Sequence, residues 1–257
     1  MRTIVWLVLF LVGLSGVVIP GVYFHTASQL PRLESEYDLE THFRLSIEGE
    51  RMSIRAGRYE EPARSHKFEK PEFARLPHDL IALYISQMGC ANFFRTPREE
   101  GPAWGWRMLV GLMGVQPDGD GRCERYLALR LAQTLGIRGD LQTTVAANKI
   151  HGFLQKDQLI AYDLATMYFD RGVVGVEDAT WELYGKAPED LDLAELAEFT
   201  MALPIHGYYQ ALKECKNAAI IKQNRDYILD LLGSHALVPP EKIEAAKQRG
   251  VACLGVP

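Results

Sequence analysis

The sequence predicts a mostly α-helical domain attached to a single N-terminal transmembrane helix. Two observations support this prediction. Residues 156–204 carry apolar side chains at helical spacing, and residues 4–24 are almost wholly apolar and free of charge. With 257 residues, the chain is long enough for one sizeable domain. The net charge of -5 gives no indication of nucleic-acid binding.

The apolar run of residues 4–24 has about the length that a bilayer-spanning helix requires. Arg2 precedes the run, and acidic side chains dominate soon after it, which favours an N-terminus inside and a domain outside. A cleaved signal peptide is the alternative, but the run is long for one and no Ala-x-Ala site closes it. We therefore predict that residues 1–28 form an uncleaved membrane anchor.

Residues 29–74 are predicted to be a linker that contains a small hairpin. Their apolar residues alternate with polar ones on both sides of Gly49, which is typical of two short strands. The alternating residues are Phe43, Leu45, Ile47, Met52 and Ile54. Helical spacing begins near residue 76, so we place the main domain at residues 75–235. A C-terminal helix that starts at Pro239-Pro240 and a tail fill residues 236–257.

The most informative stretch, residues 156–204, predicts three consecutive helices. In the first helix, five side chains share one face: Leu159, Ile160, Leu164, Met167 and Tyr168. Gly172 and Gly175 mark a tight connection after it. The second helix covers residues 176–184 and is followed by Gly185 as a C-terminal glycine.

The third helix of this stretch begins with a capping-box pattern. Asp192 supplies the cap and Glu195 follows three residues later. The helix is predicted to stop before Pro204, because proline cannot continue a helix.

The order of these parts resembles the C-terminal half of the peptidoglycan glycosyltransferase (transglycosylase) domain. This domain occurs in class A penicillin-binding proteins and monofunctional transglycosylases. The matching residues are Lys156-Asp157, Tyr168-Phe169, Gly175-Val176-Glu177, Tyr184-Gly185-Lys186, residues 191–195, Leu203-Pro204 and Arg225. The resemblance implies a lysozyme-like fold with two lobes around a cleft. It also implies a lipid pyrophosphate sugar as donor, with no cofactor; no metal-ligand cluster is visible in the sequence.

The first signature of the family, in which a glutamate acts as general base, is degenerate here. Alignment on Asn92-Phe93-Phe94 puts Gly89 at the glutamate and Cys90 at the following aspartate, and a gap would put Gln87 at the glutamate. None of these side chains is a carboxylate that can take a proton from a sugar hydroxyl.

The other family signatures are also reduced. Arg125 and Tyr126 stand where the second signature has small hydroxyl residues. In the third, Arg138 is kept, Gly139 replaces a lysine, and Gln142 replaces a second glutamate and cannot ionise. The resemblance leaves three substrate-binding candidates: Arg138, Lys156 and Glu177. Residues 104–115 correspond to a hydrophobic jaw that dips into the membrane, with a core helix as the alternative.

The four cysteines are even in number, which is compatible with two disulfides in an exported domain. In the family, the first two signatures face each other across the cleft, and Cys90 and Cys123 fall within them. The resemblance therefore implies a disulfide across the former active site. Cys215 and Cys253 are then the other possible pair. Four unpaired buried cysteines are the alternative.

Two functional hypotheses follow from the resemblance. In the first, the chain is a catalytically inactive relative in the bacterial inner membrane, with its domain on the periplasmic or extracellular face. It would bind lipid-linked peptidoglycan precursor, glycan strands or a cell-wall synthase. In the second, it is an active glycosyltransferase whose base has moved to Glu99, Glu100 or Glu124, acting with Arg138. The missing carboxylates favour the first.

Overall fold

The computed structural model describes residues 21–53, 68, 70–98, 122–170, 173–203 and 208–252. Within these ranges the regular structure is almost entirely helical, which confirms the prediction of a mostly α-helical domain and is consistent with a lysozyme-like fold. None of the helices in the described ranges combines the length and apolar character needed to cross a bilayer. Most of the predicted anchor lies in residues 1–20, outside the described residues.

The described residues form eleven α-helices, two single-turn 3-10 helices (Phe73–Arg75 and Pro188–Asp190) and one two-stranded ribbon. The N-terminal helices are α1 (residues 21–29), α2 (Glu36–Ser53) and α3 (His78–Gln87). The central ones are α4 (Arg122–Thr134), α5 (Asp140–Phe153) and α6 (Lys156–Thr166). The ribbon is β1 (Tyr168–Asp170) and β2 (Val173–Val174). The C-terminal helices are α7 (Val176–Tyr184), α8 (Leu193–Met201), α9 (Tyr209–Lys213), α10 (Ala218–Ser234) and α11 (Pro240–Lys247).

The helices form two packing groups around one continuous hydrophobic core. Helix α4 packs mainly on α5 and α6, and α8 packs on α3 and α10. Helix α11 covers α10 at the C-terminal side of the second group. The segments that carry the family's signatures therefore belong to both groups.

The predicted hairpin in residues 43–54 is wrong, because α2 covers this segment as far as Ser53. Leu39, Phe43 and Ile47 are buried at four-residue spacing, whereas Leu45 is 60% exposed. The residues that bury themselves thus follow the helical period, although the apolar residues also alternate with polar ones. Phe43 stacks on Tyr162 of α6 with ring centroids 6.2 Å apart. Helix α2 therefore packs on the domain through the face that carries its buried side chains.

The second and third helices of residues 156–204 are confirmed. Helix α7 ends at Gly185, which adopts the left-handed conformation as a C-terminal glycine. Asp192 and Glu195 form the complete capping box. The N–H of Glu195 donates to the Asp192 carboxylate at 2.9 Å, and the N–H of Asp192 donates to the Glu195 carboxylate at 2.9 Å.

The first helix of this stretch ends earlier than predicted. Helix α6 stops at Thr166, and Tyr168 lies in β1, which pairs antiparallel with β2. The chain returns close to α6, where Gly175 donates its N–H to Met167 O at 2.8 Å. Gly175 has φ of +86, and a Cβ there would lie 2.6 Å from Ala165 O. A glycine is therefore required where the ribbon meets α6.

The C-terminal segment is held by a buried ion pair between α8 and α10. Arg225 is fully buried, and its Nη1 donates to Glu198 Oε1 at 2.9 Å. The same guanidinium donates to the carbonyls of Gly250 and Arg249, each at 2.9 Å. Glu198 in turn accepts the N–H of Ala252 at 3.0 Å. Arg225 thus fastens the chain after α11 to the core.

Candidate functional site

The position aligned with the family's catalytic glutamate is a helix-terminating glycine. Gly89 follows α3 with φ of +68. Its N–H donates to Ser86 O at 3.0 Å, and the N–H of Cys90 donates to Ile85 O at 2.8 Å. This pair of hydrogen bonds is a Schellman motif, which favours glycine at the left-handed residue. Position 89 therefore terminates α3 and carries no side chain.

Cys90 and Cys123 are joined by a disulfide, with Cα atoms 6.1 Å apart. This distance lies within the usual limit of about 7 Å for a disulfide, and the pairing is the one expected from the resemblance. The bond links the turn after α3 to the first turn of α4. Cys215 is also disulfide-bonded, while Cys253 lies outside the described residues.

Glu124, the residue after Cys123, forms the centre of a buried ionic cluster. Its Oε2 lies 2.8 Å from His151 Nε2, and its Oε1 lies 3.0 Å from Lys156 Nζ. Burial acts to raise the pKa of Glu124, but the hydrogen bonds and charges of His151 and Lys156 outweigh it and lower the pKa. The carboxylate is thus ionised at neutral pH and held by two partners. The sequence did not predict that His151 is a partner of Glu124.

Lys156, a substrate-binding candidate from the sequence, is committed to contacts within the protein. Its ammonium donates to the carbonyls of Phe93 at 2.7 Å and Thr96 at 2.6 Å, in addition to the Glu124 contact. It also lies 5.1 Å from the centroid of the Phe93 ring. Lys156 therefore fastens the turn after α3 onto α4 and α6, beside the disulfide.

Replacing Glu124 by glutamine is expected to lower the free energy of unfolding by about 2–4 kcal/mol at pH 7, because Lys156, whose side chain is only 13% exposed, loses its counter-charge. Since the folded-state pKa of Glu124 is lowered, its contribution is present above the unfolded pKa of about 4.3. That contribution is lost as pH falls through the folded pKa. Urea unfolding of the native and Glu124→Gln chains at pH 7 measures the loss of stability, and the same comparison at pH 3 tests its pH dependence.

The exposed Glu241 on α11 offers a matched control for this experiment. Glu241→Gln makes the same chemical change at the surface and is expected to alter stability by less than about 0.5 kcal/mol. A Glu124→Gln deficit that stays the same from pH 7 to pH 3 would contradict the assigned ionisation.

The third signature region lies at the start of α5. Arg138 is exposed, and no ion pair to it is found within the described ranges. Gly139 has φ of +96, and a Cβ there would lie 2.5 Å from Oε1 of Gln142. The two residues that replace the family's lysine and glutamate are thus packed against each other. Arg138 still places a positive charge at the surface, but Gly139 and Gln142 stand where the family has the accompanying lysine and glutamate.

A second buried polar cluster was not predicted from the sequence. The hydroxyl of Tyr84 donates to Asp163 Oδ2, and Arg130 Nε lies 3.4 Å from Asp163 Oδ1. Burial is the main cause of the raised pKa of Tyr84. An aspartate among apolar residues of a core helix was the one available signal, because a buried carboxylate requires partners.

The remaining sequence candidates lie apart from this cluster or outside the described residues. Glu177 is exposed in the first turn of α7. Glu99, Glu100 and residues 104–115 fall in the part of the chain that the structure does not describe. Among the described side chains, no group of three or more histidine, cysteine, aspartate or glutamate residues is arranged to hold a metal ion.

The described fold is consistent with a helical domain of the transglycosylase type, and it contains the α6–ribbon–α7–α8 unit on which the resemblance rests. Residues 125–232 match the family model described as Transglycosylase, and this match supports the peptidoglycan transglycosylase domain family for that part of the chain. The match runs from the first turn of α4 into α10. No curated protein shows a significant match to the chain.

Proposed function

We propose that the protein is a membrane-anchored, catalytically inactive transglycosylase relative that binds lipid-linked peptidoglycan precursor or glycan. The family match over residues 125–232 supports a peptidoglycan glycosyltransferase-like role, with glycan or lipid-linked precursor as the class of ligand. Inactivity, the anchor and any synthase partner are the parts that we add to that role.

The proposal of inactivity rests on the bonds that Cys90 and Glu124 make within the protein. Cys90 is consumed in the disulfide to Cys123, and the neighbouring carboxylate of Glu124 is fully buried against Lys156 and His151. A general base must reach the acceptor hydroxyl with a free oxygen. Glu124 would have to give up its two partners to do so. Among the described residues, the carboxylate beside the disulfide is thus committed to structure.

Ligand binding does not require this missing chemistry. Arg138 is exposed, and a guanidinium binds pyrophosphate oxygens through two parallel hydrogen bonds. An anchor formed by residues 4–24 would keep the domain beside a lipid-linked ligand. The Cys90–Cys123 disulfide supports a location in an oxidising compartment such as the periplasm or the cell exterior.

The test is to incubate the detergent-purified full chain with labelled lipid-linked disaccharide precursor and to measure polymer and binding separately. We expect saturable binding without polymer. Arg138→Ala is expected to weaken binding about 10- to 150-fold, because a charge-assisted contact to pyrophosphate contributes about 1.5–3 kcal/mol. Arg44→Ala is the matched control, because Arg44 is exposed on α2, and it is expected to leave binding unchanged.

Each contrary result points to a different function. Polymer that disappears in Glu99→Gln, Glu100→Gln or Glu124→Gln would overturn the inactive assignment and identify a relocated base. Absence of both polymer and binding would overturn precursor recognition and leave contact with a cell-wall synthase as the role to test.

A further inference from the structure

Tyr126 is an exposed aromatic side chain on α4, close to the disulfide. It is 41% exposed and lies three residues after Cys123 on the same helix. It also stands where the second signature of the family has a small hydroxyl residue. A single exposed tyrosine is common on protein surfaces, so its meaning depends on what supports the ring.

The ring is supported by Arg130, one turn further along α4. The Cζ atom of Arg130 lies over the Tyr126 ring, 5.7 Å from its centroid, which is a cation–π distance. Arg130 is itself fixed, because its Nε lies 3.4 Å from Asp163 Oδ1 and its Nη1 donates to Tyr84 Oη at 3.4 Å. Asp163 and Tyr84 are both buried. The Tyr126 ring therefore rests on a guanidinium that is anchored in the core.

This support distinguishes Tyr126 from an ordinary surface tyrosine. Tyr227 on α10 is more exposed, at 69%, but within the described residues no cation lies over its ring. A side chain that is already held in one position loses little conformational freedom when a ligand contacts it. Tyr126 thus combines an open ring surface with a fixed orientation, which is the arrangement that a binding contact requires.

The chemistry of an aromatic ring determines what it can bind on its open face. The face of the ring carries negative charge density and attracts weakly positive groups. A pyranose sugar presents such groups, because several of its C–H bonds point to one side of the ring, while its hydroxyl and amide groups keep their contacts with water. An anion such as pyrophosphate is disfavoured against the same face.

We propose that Tyr126 is a stacking platform for a neutral N-acetylated sugar ring of a glycan strand. The sugar ring lies on the open face of Tyr126, and Arg130 supports the tyrosine ring from the opposite face. This inference rests on the proposed function, because it names the residue and the part of the glycan that are in contact. It needs neither pyrophosphate nor Arg138, so the two binding contacts can be tested separately.

The probe is the tetrasaccharide of N-acetylglucosamine, a soluble neutral glycan, titrated into the isotope-labelled full chain in detergent micelles and followed by NMR. We expect saturable shifts of the amides of residues 123–130 that depend little on salt, because the ligand carries no charge. Tyr126→Leu keeps an apolar side chain without the ring and is expected to weaken binding about two- to tenfold. Tyr126→Trp keeps an aromatic face and is expected to bind at least as tightly as the native chain.

The matched control is Tyr227→Leu, which makes the same change at the exposed tyrosine of α10 and is expected to leave the titration unchanged. Urea unfolding of Tyr126→Leu tests whether the ring only shields the Arg130–Asp163 pair from water. In that structural role stability falls while affinity for the tetrasaccharide is unchanged, and the proposal is overturned. It is also overturned if the native chain does not bind the tetrasaccharide, or if Tyr126→Trp binds as weakly as Tyr126→Leu.

A parallel titration with labelled lipid-linked precursor separates this inference from the proposed function. Arg138→Ala is expected to weaken binding of the precursor and to leave binding of the tetrasaccharide unchanged. If the precursor binds and the tetrasaccharide does not, precursor recognition stands and the stacking platform is wrong. If the tetrasaccharide binds through Tyr126 and the precursor does not bind, the stacking platform stands and precursor recognition is wrong.

Discussion

Replacing Arg225 by methionine is expected to lower the free energy of unfolding by about 3–5 kcal/mol, because the change leaves the Glu198 carboxylate buried without a counter-charge. Both side chains are 0% exposed. The variant also removes the donors to the carbonyls of Arg249 and Gly250. Urea unfolding of the full chain in detergent at pH 7 measures the loss. Amide exchange of residues 248–252 is expected to rise as the C-terminal segment loosens.

A surface arginine on the same segment provides the control. Arg249 Nη2 lies 2.8 Å from Asp192 Oδ2, but its side chain is 63% exposed, so Arg249→Met is expected to cost less than about 1 kcal/mol. Adding Glu198→Met to Arg225→Met is expected to recover part of the loss, because no buried charge then remains. Equal losses from Arg249→Met and Arg225→Met would contradict the role assigned to the buried pair.

The parts of the fold that were predictable are those with local physical causes. Gly185 and the Asp192–Glu195 capping box mark helix ends through hydrogen bonds within a few residues. The hairpin in residues 43–54 failed for the opposite reason. Alternation and helical spacing coexist in that segment, and the helical face is the one that is buried, with Phe43 packed on the ring of distant Tyr162. Packing partners far along the chain are not visible in a short window of sequence.

In the candidate site, too, local features were predictable and features that depend on packing were not. Loss of carboxylates at Gly89 and Gln142 follows directly from residue type. The Cys90–Cys123 pair followed from the resemblance and not from spacing. The burial of Glu124 against Lys156 and His151 depends on how α4, α5 and α6 pack. The sequence alone therefore left open that Glu124 is an exposed general base and that Lys156 is free to bind substrate.

Removing the disulfide with Cys90→Ser and Cys123→Ser is expected to lower the free energy of unfolding by about 3–4 kcal/mol in the chain-entropy treatment. The bond closes a sequence separation of 33 residues, and without it the denatured chain gains that conformational freedom. Urea unfolding measures the loss. Hydrogen exchange is expected to rise for residues 88–98, although the Lys156 contacts to Phe93 and Thr96 retain part of the protection.

The same double variant separates two explanations for the proposed inactivity. If the disulfide merely holds an otherwise competent cleft closed, removing it produces polymer from the lipid-linked precursor. Because Gly89 and Gln142 supply no carboxylate, we expect polymer to remain absent after the bond is removed. Cys215→Ser is the control, since it breaks the other disulfide and is expected to leave exchange of residues 88–98 unchanged. Polymer in the Cys90→Ser, Cys123→Ser chain would place the block in the disulfide and contradict the argument from missing carboxylates.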